Sequence, residues 1–278
     1  MKNLFIRTIT GTIYVAILIV GLLSGVYIFA GLFAIIAALC LWEFYGLVNL
    51  NKQVSVNRII NVCGGVYLFL ATFFLISIHL TVKVFLPYIS FILFVFILEL
   101  YRKKENPLMN LAYSFLGQMY IALPIALLNW IVFYPDGHGG VEYTPLILVA
   151  LFVFIWANDT GAYLIGVSFG KHRLFERISP KKSWEGFFGG LILALSCSLI
   201  LSYLCPQISL VRWVGLGAFV VILATFGDLT ESLMKRTIGV KDSGKALPGH
   251  GGFLDRFDSM LFAIYVLAFY MEIFVVAR

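Results

Sequence analysis

The chain has 278 residues, of which 61% are hydrophobic and only 12% are charged, and its mean hydropathy is +0.98. A water-soluble globule cannot bury so much apolar side chain, so the composition excludes a soluble fold and makes the lipid bilayer the solvent. The four cysteines lie in or beside apolar segments without metal-ligand spacing, which indicates neither a disulfide framework nor a zinc site.

Nine apolar runs, each bounded by charge, proline or glycine, follow one another along the chain. Their length is that of a membrane helix, and the alternation expected of a β-barrel is absent. We therefore predict an all-α polytopic membrane protein with about nine transmembrane helices. The predicted spans are residues 9–25, 26–48, 59–79, 84–100, 111–134, 145–169, 187–205, 211–230 and 258–276. Pro124 predicts a kink in the fifth span.

The positions of the basic residues predict the orientation of these spans. If successive spans cross the membrane in opposite directions, all but three of the 20 Lys and Arg residues lie on the same side. Loops rich in basic residues stay in the cytoplasm far more often than they are translocated. We therefore expect a cytoplasmic N-terminus and an external C-terminus at Arg278. This asymmetry and contact with anionic headgroups also account for the net charge of +6, so nucleic acid is not expected as a partner.

We divide the chain into N-terminal membrane helices, residues 1–110 with spans one to four, and a catalytic half, residues 111–278 with spans five to nine. The catalytic half contains two long cytoplasmic connections, 170–186 and 231–257, which hold half of the 20 basic residues. Long connections without evident structure are commonly functional, so we expect the active site there.

Three acidic residues lie in apolar context upstream of these connections. Glu43 and Glu99 fall near the cytoplasmic ends of their spans, where we expect exposure at headgroup level. Asp159 lies inside the sixth span, about two-thirds of the way toward the cytoplasm. An ionisable residue at such a depth is a functional candidate by default.

The first connection ends in a short run of hydroxyl and lysine side chains. Ser179 and Ser183 can cap the seventh span, while Lys182 can neutralise a phosphate. For the neighbouring Lys181, a side chain that extends to the membrane interface is an equally good interpretation.

The second connection brings three carboxylates to the same side of the membrane. Asp228 ends the eighth span there, and Asp255 and Asp258 lie in the first turn of the ninth. Clustered carboxylates near hydrocarbon stay ionised only if a cation neutralises them, and oxygen ligands suit Mg²⁺ shared with substrate phosphates. The alternative is that these acids only complement the helix dipole.

Glycine and basic residues accompany these carboxylates. Free backbone N–H groups at a helix N-terminus after such glycines favour an anion such as a polyphosphate. The residues concerned are Lys235, Arg236, Lys241, His250, Gly251, Gly252 and Arg256.

The run from Ser232 through Asp258 resembles the signature of the bacterial phosphatidate cytidylyltransferase (CDP-diacylglycerol synthase) family. The shared features are the Ser, a Lys-Arg pair, Lys-Asp four residues later, and then Pro-x-His-Gly-Gly-x-x-Asp-Arg-x-Asp. The resemblance extends to residues 227–232, to Ser-Pro-x-Lys-Ser at 179–183 and to Asp-Thr-Gly-Ala-Tyr at 159–163. The N-terminal half matches only in its hydrophobic character and in Trp42-Glu43.

This resemblance implies about nine membrane helices, a homodimer, and a divalent metal held by Asp228, Asp255 and Asp258. Lys241 and Asp242 of the signature join these aspartates as catalytic residues. The residues implied in substrate binding are Asp159, Ser179, Lys182, Ser183, Lys235, Arg236, His250, Gly251, Gly252 and Arg256.

The activity implied is transfer of CMP from CTP to phosphatidic acid at the cytoplasmic face of the inner (plasma) membrane, with one or two Mg²⁺ ions. The same chemistry would serve an ether-linked or isoprenoid phospholipid, and these alternatives stay open. A secondary transporter is a further alternative, but its polar residues should cluster at the membrane midplane in two repeated halves. Here they crowd one face and one half of the chain.

Overall fold

The computed structural model describes residues 2–135, 140–244 and 251–273, with side chains from residue 9 onward. Its longer elements are helices, joined by short loops and two β-hairpins. In chain order they are α1 (Lys2–Leu23), α2 (Val26–Val48), α3 (Arg58–Ser77), a 3-10 turn (Val82–Phe85), α4 (Leu86–Tyr101), α5 (Pro107–Gly117), a π turn (Gln118–Ala122), α6 (Leu123–Val132), β1 (Phe133–Pro135), β2 (Val141–Tyr143), α7 (Leu146–Phe169), β3 (Arg173–Phe175), β4 (Ser179–Ser183), α8 (Trp184–Leu204), α9 (Leu210–Ile238) and α10 (Leu254–Met271).

Within the described residues, each predicted apolar span overlaps a helix or a continuous helical stretch. Within the described ranges, seven stretches are long and apolar enough to cross a bilayer, from Val26–Val48 to Leu210–Ile238. The apolar part of α1, Ile9–Leu23, is shorter, and α10 has three charged residues among its first five. The chain is therefore a multi-pass helical membrane protein.

Residues 1–144 and 237–257 form one compact unit. Its core is aromatic, with Phe29, Phe33 and Phe69 all fully buried. A buried polar network also ties its helices together: Gln118 Nε2 donates to Tyr45 Oη at 3.1 Å and to the Asn61 carbonyl at 2.8 Å. Because hydrocarbon offers no alternative partners, such bonds hold helices in register.

The predicted kink at Pro124 takes the form of a change in helical winding. The fifth span consists of α5, the π turn and α6, with Pro124 in the first turn of α6. Proline has no N–H and its ring crowds the carbonyl four residues earlier. The wider π turn accommodates this, since the Leu123 N–H bonds to the Gln118 carbonyl five residues back.

Residues 145–236 and 258–278 form the second unit, in which α7 and α8 pack closely. A Cβ on Gly161 would lie 2.6 Å from the Gly189 carbonyl oxygen, and one on Gly190 would lie 2.3 Å from Asn158 Oδ1. No side chain fits at such distances, so glycine is what allows the two backbones to approach.

Both predicted connections contain more regular structure than expected. Residues 170–186 form the antiparallel hairpin β3–β4 before α8 begins at Trp184. The predicted start of the second connection at residue 231 is wrong, because α9 continues to Ile238. Glu231 and Lys235 are buried and pair one helical turn apart, which stabilises the extra turns despite their polarity.

We expect Gly190→Leu to destabilise the protein by about 3 kcal/mol or more, because the added side chain must separate α7 from α8. Thermal unfolding in detergent measures the effect. Gly31→Ala is the control, since a Cβ at Gly31 meets nothing within 4 Å. Equal unfolding temperatures for Gly190→Leu and the wild type would contradict the close packing.

Candidate active site

The second unit contains a cavity of about 220 Å³ lined by α7, the β3–β4 hairpin, the start of α8 and α9. Four predicted site residues line it: Asp159 from α7, Lys182 and Ser183 from β4, and Asp228 from α9. These residues come from the sixth span, the first connection and the eighth span. The fold therefore gathers the conspicuous polar residues of three separate segments.

Lys182 and Ser183 are positioned by the junction of β4 with α8. Ser183 Oγ accepts the Gly186 N–H at 3.1 Å, which confirms the predicted helix cap. Lys182 Nζ lies 2.5 Å from Asp228 Oδ2. The Lys182 side chain is 27% exposed and the Asp228 side chain is 34% exposed. The hairpin thereby presents an ammonium group directly to the carboxylate of α9.

Further acidic groups lie on the same face of α9 as Asp228. Ser232 Oγ donates to Asp228 Oδ1 at 3.2 Å, and Glu231 forms an ion pair with Lys235. Asp258 of α10 is buried close to Glu231, and it interacts electrostatically with Asp228.

Close packing of α9 on α10 places Asp258 beside this face. A Cβ on Gly227 would lie 2.5 Å from the Asp258 carbonyl oxygen, so only glycine allows this approach. Gly227 therefore allows the two helices to pack closely, and the next residue, Asp228, lines the cavity.

The charge balance of the cluster favours a cation. Four carboxyl groups, those of Asp159, Asp228, Glu231 and Asp258, lie in or beside the cavity with three ammonium groups, those of Lys181, Lys182 and Lys235. Of the described residues, no group of three or more His, Cys, Asp or Glu side chains forms a complete metal site. Oxygen ligands from one or two carboxylates do fit Mg²⁺ shared with substrate phosphates, which supply its other ligands.

Asn158 is a further cavity residue that the sequence did not single out. It lines the cavity, and its buried Oδ1 atom has no hydrogen-bond partner among the described residues. That atom lies against Gly190 of α8, so it belongs to the packing of α7 on α8 and not to the cavity surface.

Asp255 lies in the first unit, where its carboxylate binds backbone N–H groups. Its Oδ2 atom accepts from Ser243 N at 3.0 Å and from Gly252 N at 2.8 Å. Glu43 Oε2 accepts the Leu254 N–H at 2.9 Å and the Ser243 hydroxyl at 3.1 Å. The expectation of free N–H groups for a polyphosphate is therefore wrong at Gly252 and Leu254, because protein carboxylates already occupy them.

The glycines of this segment have a steric role. A Cβ on Gly252 would lie 2.3 Å from Glu43 Oε2, and one on Gly244 would lie 2.6 Å from Glu43 Oε1. Gly251 has φ of +83°, a left-handed conformation that side chains disfavour. The glycine pattern thus lets the segment wrap around Glu43.

Both upstream glutamates differ from the expected headgroup exposure. Glu43 binds the 243–254 segment as described, and Glu99 is 7% exposed, with Arg102 Nη1 at 3.1 Å and Asn110 Nδ2 at 2.5 Å. Sequence reasoning missed the structural roles of Glu43 and Glu231. The spacing of Glu231 from Lys235 on one helix was the available signal for the second.

The remaining predicted residues lie outside the cavity lining. Ser179 begins β4, and the side chains of Arg236, Lys241, Asp242 and Arg256 are exposed. His250 lies outside the described residues.

These features define a class: a multi-pass helical membrane protein with a cavity of lysine and carboxylate side chains suited to a phosphate and a cation. The chain belongs to the cytidylyltransferase family, whose family model matches residues 5–274. It is 35% identical over 267 residues to the phosphatidate cytidylyltransferase of Staphylococcus aureus (strain COL), covering 94% of this chain and 96% of that protein. The phosphatidate cytidylyltransferase of Haemophilus influenzae is 36% identical over 172 residues, which are 60% of this chain and 58% of that protein.

We expect Glu43→Ala to raise the exchange rate of the Leu254 amide hydrogen about tenfold or more, since that amide loses a charged acceptor. Hydrogen–deuterium exchange of the peptide around residues 251–257 measures it. Glu105→Ala, at an exposed carboxylate, is the control. Unchanged exchange in Glu43→Ala would show that Glu43 does not hold the segment.

Proposed function

We propose that the chain transfers CMP from CTP to the phosphate of phosphatidic acid, forming CDP-diacylglycerol and pyrophosphate. Family membership and the similarity to phosphatidate cytidylyltransferases support this activity. The observation that carries it is the cavity in which Lys182 meets Asp228 beside Asp159. A lysine and a carboxylate at one polar cavity of a membrane protein suit a lipid phosphate and a nucleotide triphosphate.

The reaction needs little covalent chemistry from the protein. A phosphate oxygen of the lipid attacks the α-phosphorus of CTP in line, a new P–O bond forms, and the bond to the bridging oxygen of pyrophosphate breaks. The lipid phosphate is already mostly ionised at neutral pH, so no strong general base is required. Positioning and charge neutralisation therefore dominate.

Lys182 supplies the neutralising charge in this proposal. Its ammonium group is held by Asp228 and is partly exposed to the cavity, so it can turn toward an incoming phosphate. Ser183 holds the end of β4 through its cap on α8, which fixes the direction from which Lys182 enters. Asp159 of α7 offers carboxylate oxygen atoms in the same cavity for the polar parts of the substrate.

Asp228 and Asp258 are the proposed ligands of Mg²⁺. When bound, the ion would neutralise charge on the transferring phosphate and the leaving group. The surplus of carboxyl groups around Asp258 supports this assignment, because a cation stabilises like charges that lie close together. The metal-binding role of Asp255 stays a prediction from the sequence, as do the roles of Lys241, Asp242 and His250.

The proposed location is the cytoplasmic face of the plasma membrane, with the N-terminus inside. The asymmetric Lys and Arg distribution supports this orientation, and CTP is available only in the cytoplasm. A homodimer is proposed on the resemblance alone. An ether-linked or isoprenoid phospholipid would meet the same phosphate-binding groups, so the lipid backbone is left to experiment.

The direct test supplies purified protein with CTP labelled in its α-phosphate, Mg²⁺ and phosphatidic acid in detergent micelles. We expect a labelled liponucleotide and an equal amount of pyrophosphate, and no product when EDTA is present. Ether-linked and isoprenoid phosphates are compared in parallel. Absence of product with every lipid would refute a cytidylyltransferase.

We expect Asp258→Asn and Asp228→Asn each to lower kcat on the order of 10²-fold or more, since a charge that neutralises the reacting groups is lost. Both should also raise the Mg²⁺ concentration needed for half-maximal activity. Glu176→Gln, at an exposed carboxylate of the same unit, is the control. Circular dichroism verifies folding, and near-normal kinetics with unchanged Mg²⁺ dependence in both aspartate variants would remove the metal assignment.

A further inference from the structure

The β3–β4 hairpin carries Lys182 into the polar cavity of the second unit, and its strand pairing is irregular next to that residue. Arg173 pairs with Ser183, and Phe175 pairs with Ser179. Between these two pairs β3 has one residue and β4 has three, of which Lys182 is the last. Such a bulge leaves residues of the longer strand without ladder partners. The position of Lys182 therefore depends on what fixes the ends of the bulge.

One end of the bulge is fixed at the base of the hairpin, where both backbone groups of His172 are bonded to the start of α8. The His172 carbonyl accepts the Trp184 N–H at 2.9 Å, and the His172 N–H donates to both carboxylate oxygens of Glu185 at 3.2 Å. The imidazole Nδ1 lies 2.6 Å from Glu185 Oε1. An ionised carboxylate only accepts hydrogen bonds, so this ring nitrogen carries the proton. Glu185 thus binds the residue that precedes β3 through its backbone and through its side chain.

The strand that leaves the hairpin is fixed by a second set of contacts in the same turn of α8. Ser183 caps the helix through the Gly186 N–H. A Cβ on Gly186 would lie 2.9 Å from the Ala162 carbonyl oxygen, so this turn packs directly on α7. Glu185 follows Ser183 by two residues and does for the incoming strand what Ser183 does for the outgoing one. One short segment of α8 therefore holds both strands.

The contacts of Glu185 go beyond what its place in the helix requires. An acidic side chain in the first turn of a helix complements the helix dipole wherever its oxygen atoms point. Here both oxygen atoms meet a residue 13 positions earlier in the chain. The Glu185 side chain is only 26% exposed, although the imidazole of His172 is 81% exposed. The side chain is thus directed at the entry to β3.

We propose that Glu185 is a positioning residue for the transfer of CMP, because it holds His172 on α8 and so fixes the hairpin that presents Lys182 to the substrate phosphates. The inference rests on the proposed function and adds a residue that acts through Lys182 without touching the substrate. Loss of Glu185 would free one end of the bulge. A displacement of about 1 Å in a group that positions the substrate can lower a rate on the order of 10²-fold.

The test is a double-mutant cycle of Glu185 with Lys182, measured as kcat/KM for CTP in detergent micelles that contain phosphatidic acid. We expect Glu185→Ala to lower kcat/KM about tenfold or more. Glu176→Ala, at an exposed carboxylate in the turn of the same hairpin, is the matched control and should keep the wild-type value. In a Lys182→Met background, Glu185→Ala should cost no more than about threefold, because residues that act through one another are not additive.

Hydrogen–deuterium exchange of the peptide around residues 170–176 adds a measurement that needs no turnover. We expect Glu185→Ala to raise the exchange rate of the His172 amide hydrogen about tenfold, since that amide loses a charged acceptor. Glu185→Gln keeps an acceptor for this N–H, so it should change both exchange and kcat/KM less than Glu185→Ala. It also replaces Glu185→Ala in the cycle if the alanine variant lacks a thermal unfolding transition in detergent.

The possible results separate the positioning role from the activity itself. Wild-type kcat/KM or unchanged exchange in Glu185→Ala would overturn the role of Glu185 while leaving the cytidylyltransferase activity intact. An equal fall in kcat/KM with Lys182 and with Lys182→Met would also overturn it, because Glu185 would then support the fold in general. A wild-type protein that forms no liponucleotide from CTP and phosphatidic acid would refute the proposed function instead.

Discussion

Acidic side chains in and beside the polar cavity are the constraint on which the second unit is organised. The carboxyl groups of Asp159, Asp228, Glu231 and Asp258 outnumber the ammonium groups of Lys181, Lys182 and Lys235, and desolvation makes an uncompensated carboxylate costly. The β3–β4 hairpin, the serine cap of α8 and the extension of α9 all serve to bring compensating groups to these acids. Lys182 and Lys235 thereby each form an ion pair with one of these acids.

Much of the fold follows from the sequence, because a bilayer reduces the choice of structure to apolar helices. The bounds of α2, α3 and α7 lie within two residues of the predicted spans, since charge or glycine ends each apolar run. The extension of α9 escaped prediction because polarity was read as a loop. In fact Glu231 and Lys235 satisfy one another one turn apart, so the helix continues without exposing either charge to lipid.

The residues of the candidate site were predictable where a charged residue interrupts an apolar segment. Asp159, Lys182 and Asp228 stood out as charges in apolar context, and they line one cavity. Glu43 also stood out as an acid in apolar context, but its role could not be found in this way. Its partners are about two hundred residues away in sequence, and only the fold brings them together. The glycines near Asp255 were assigned to ligand binding for the same reason, since their neighbour Glu43 belongs to α2, far away in sequence.

The position of Glu43 in α2 changes how the N-terminal helices should be regarded. A carboxylate on the second helix supplies acceptors for the start of the last helix, and two glycines leave room for it. Hybrid proteins that exchange the first helices between relatives must therefore preserve an acid at this position together with small residues opposite it. The N-terminal helices and the signature segment of the chain therefore depend on each other.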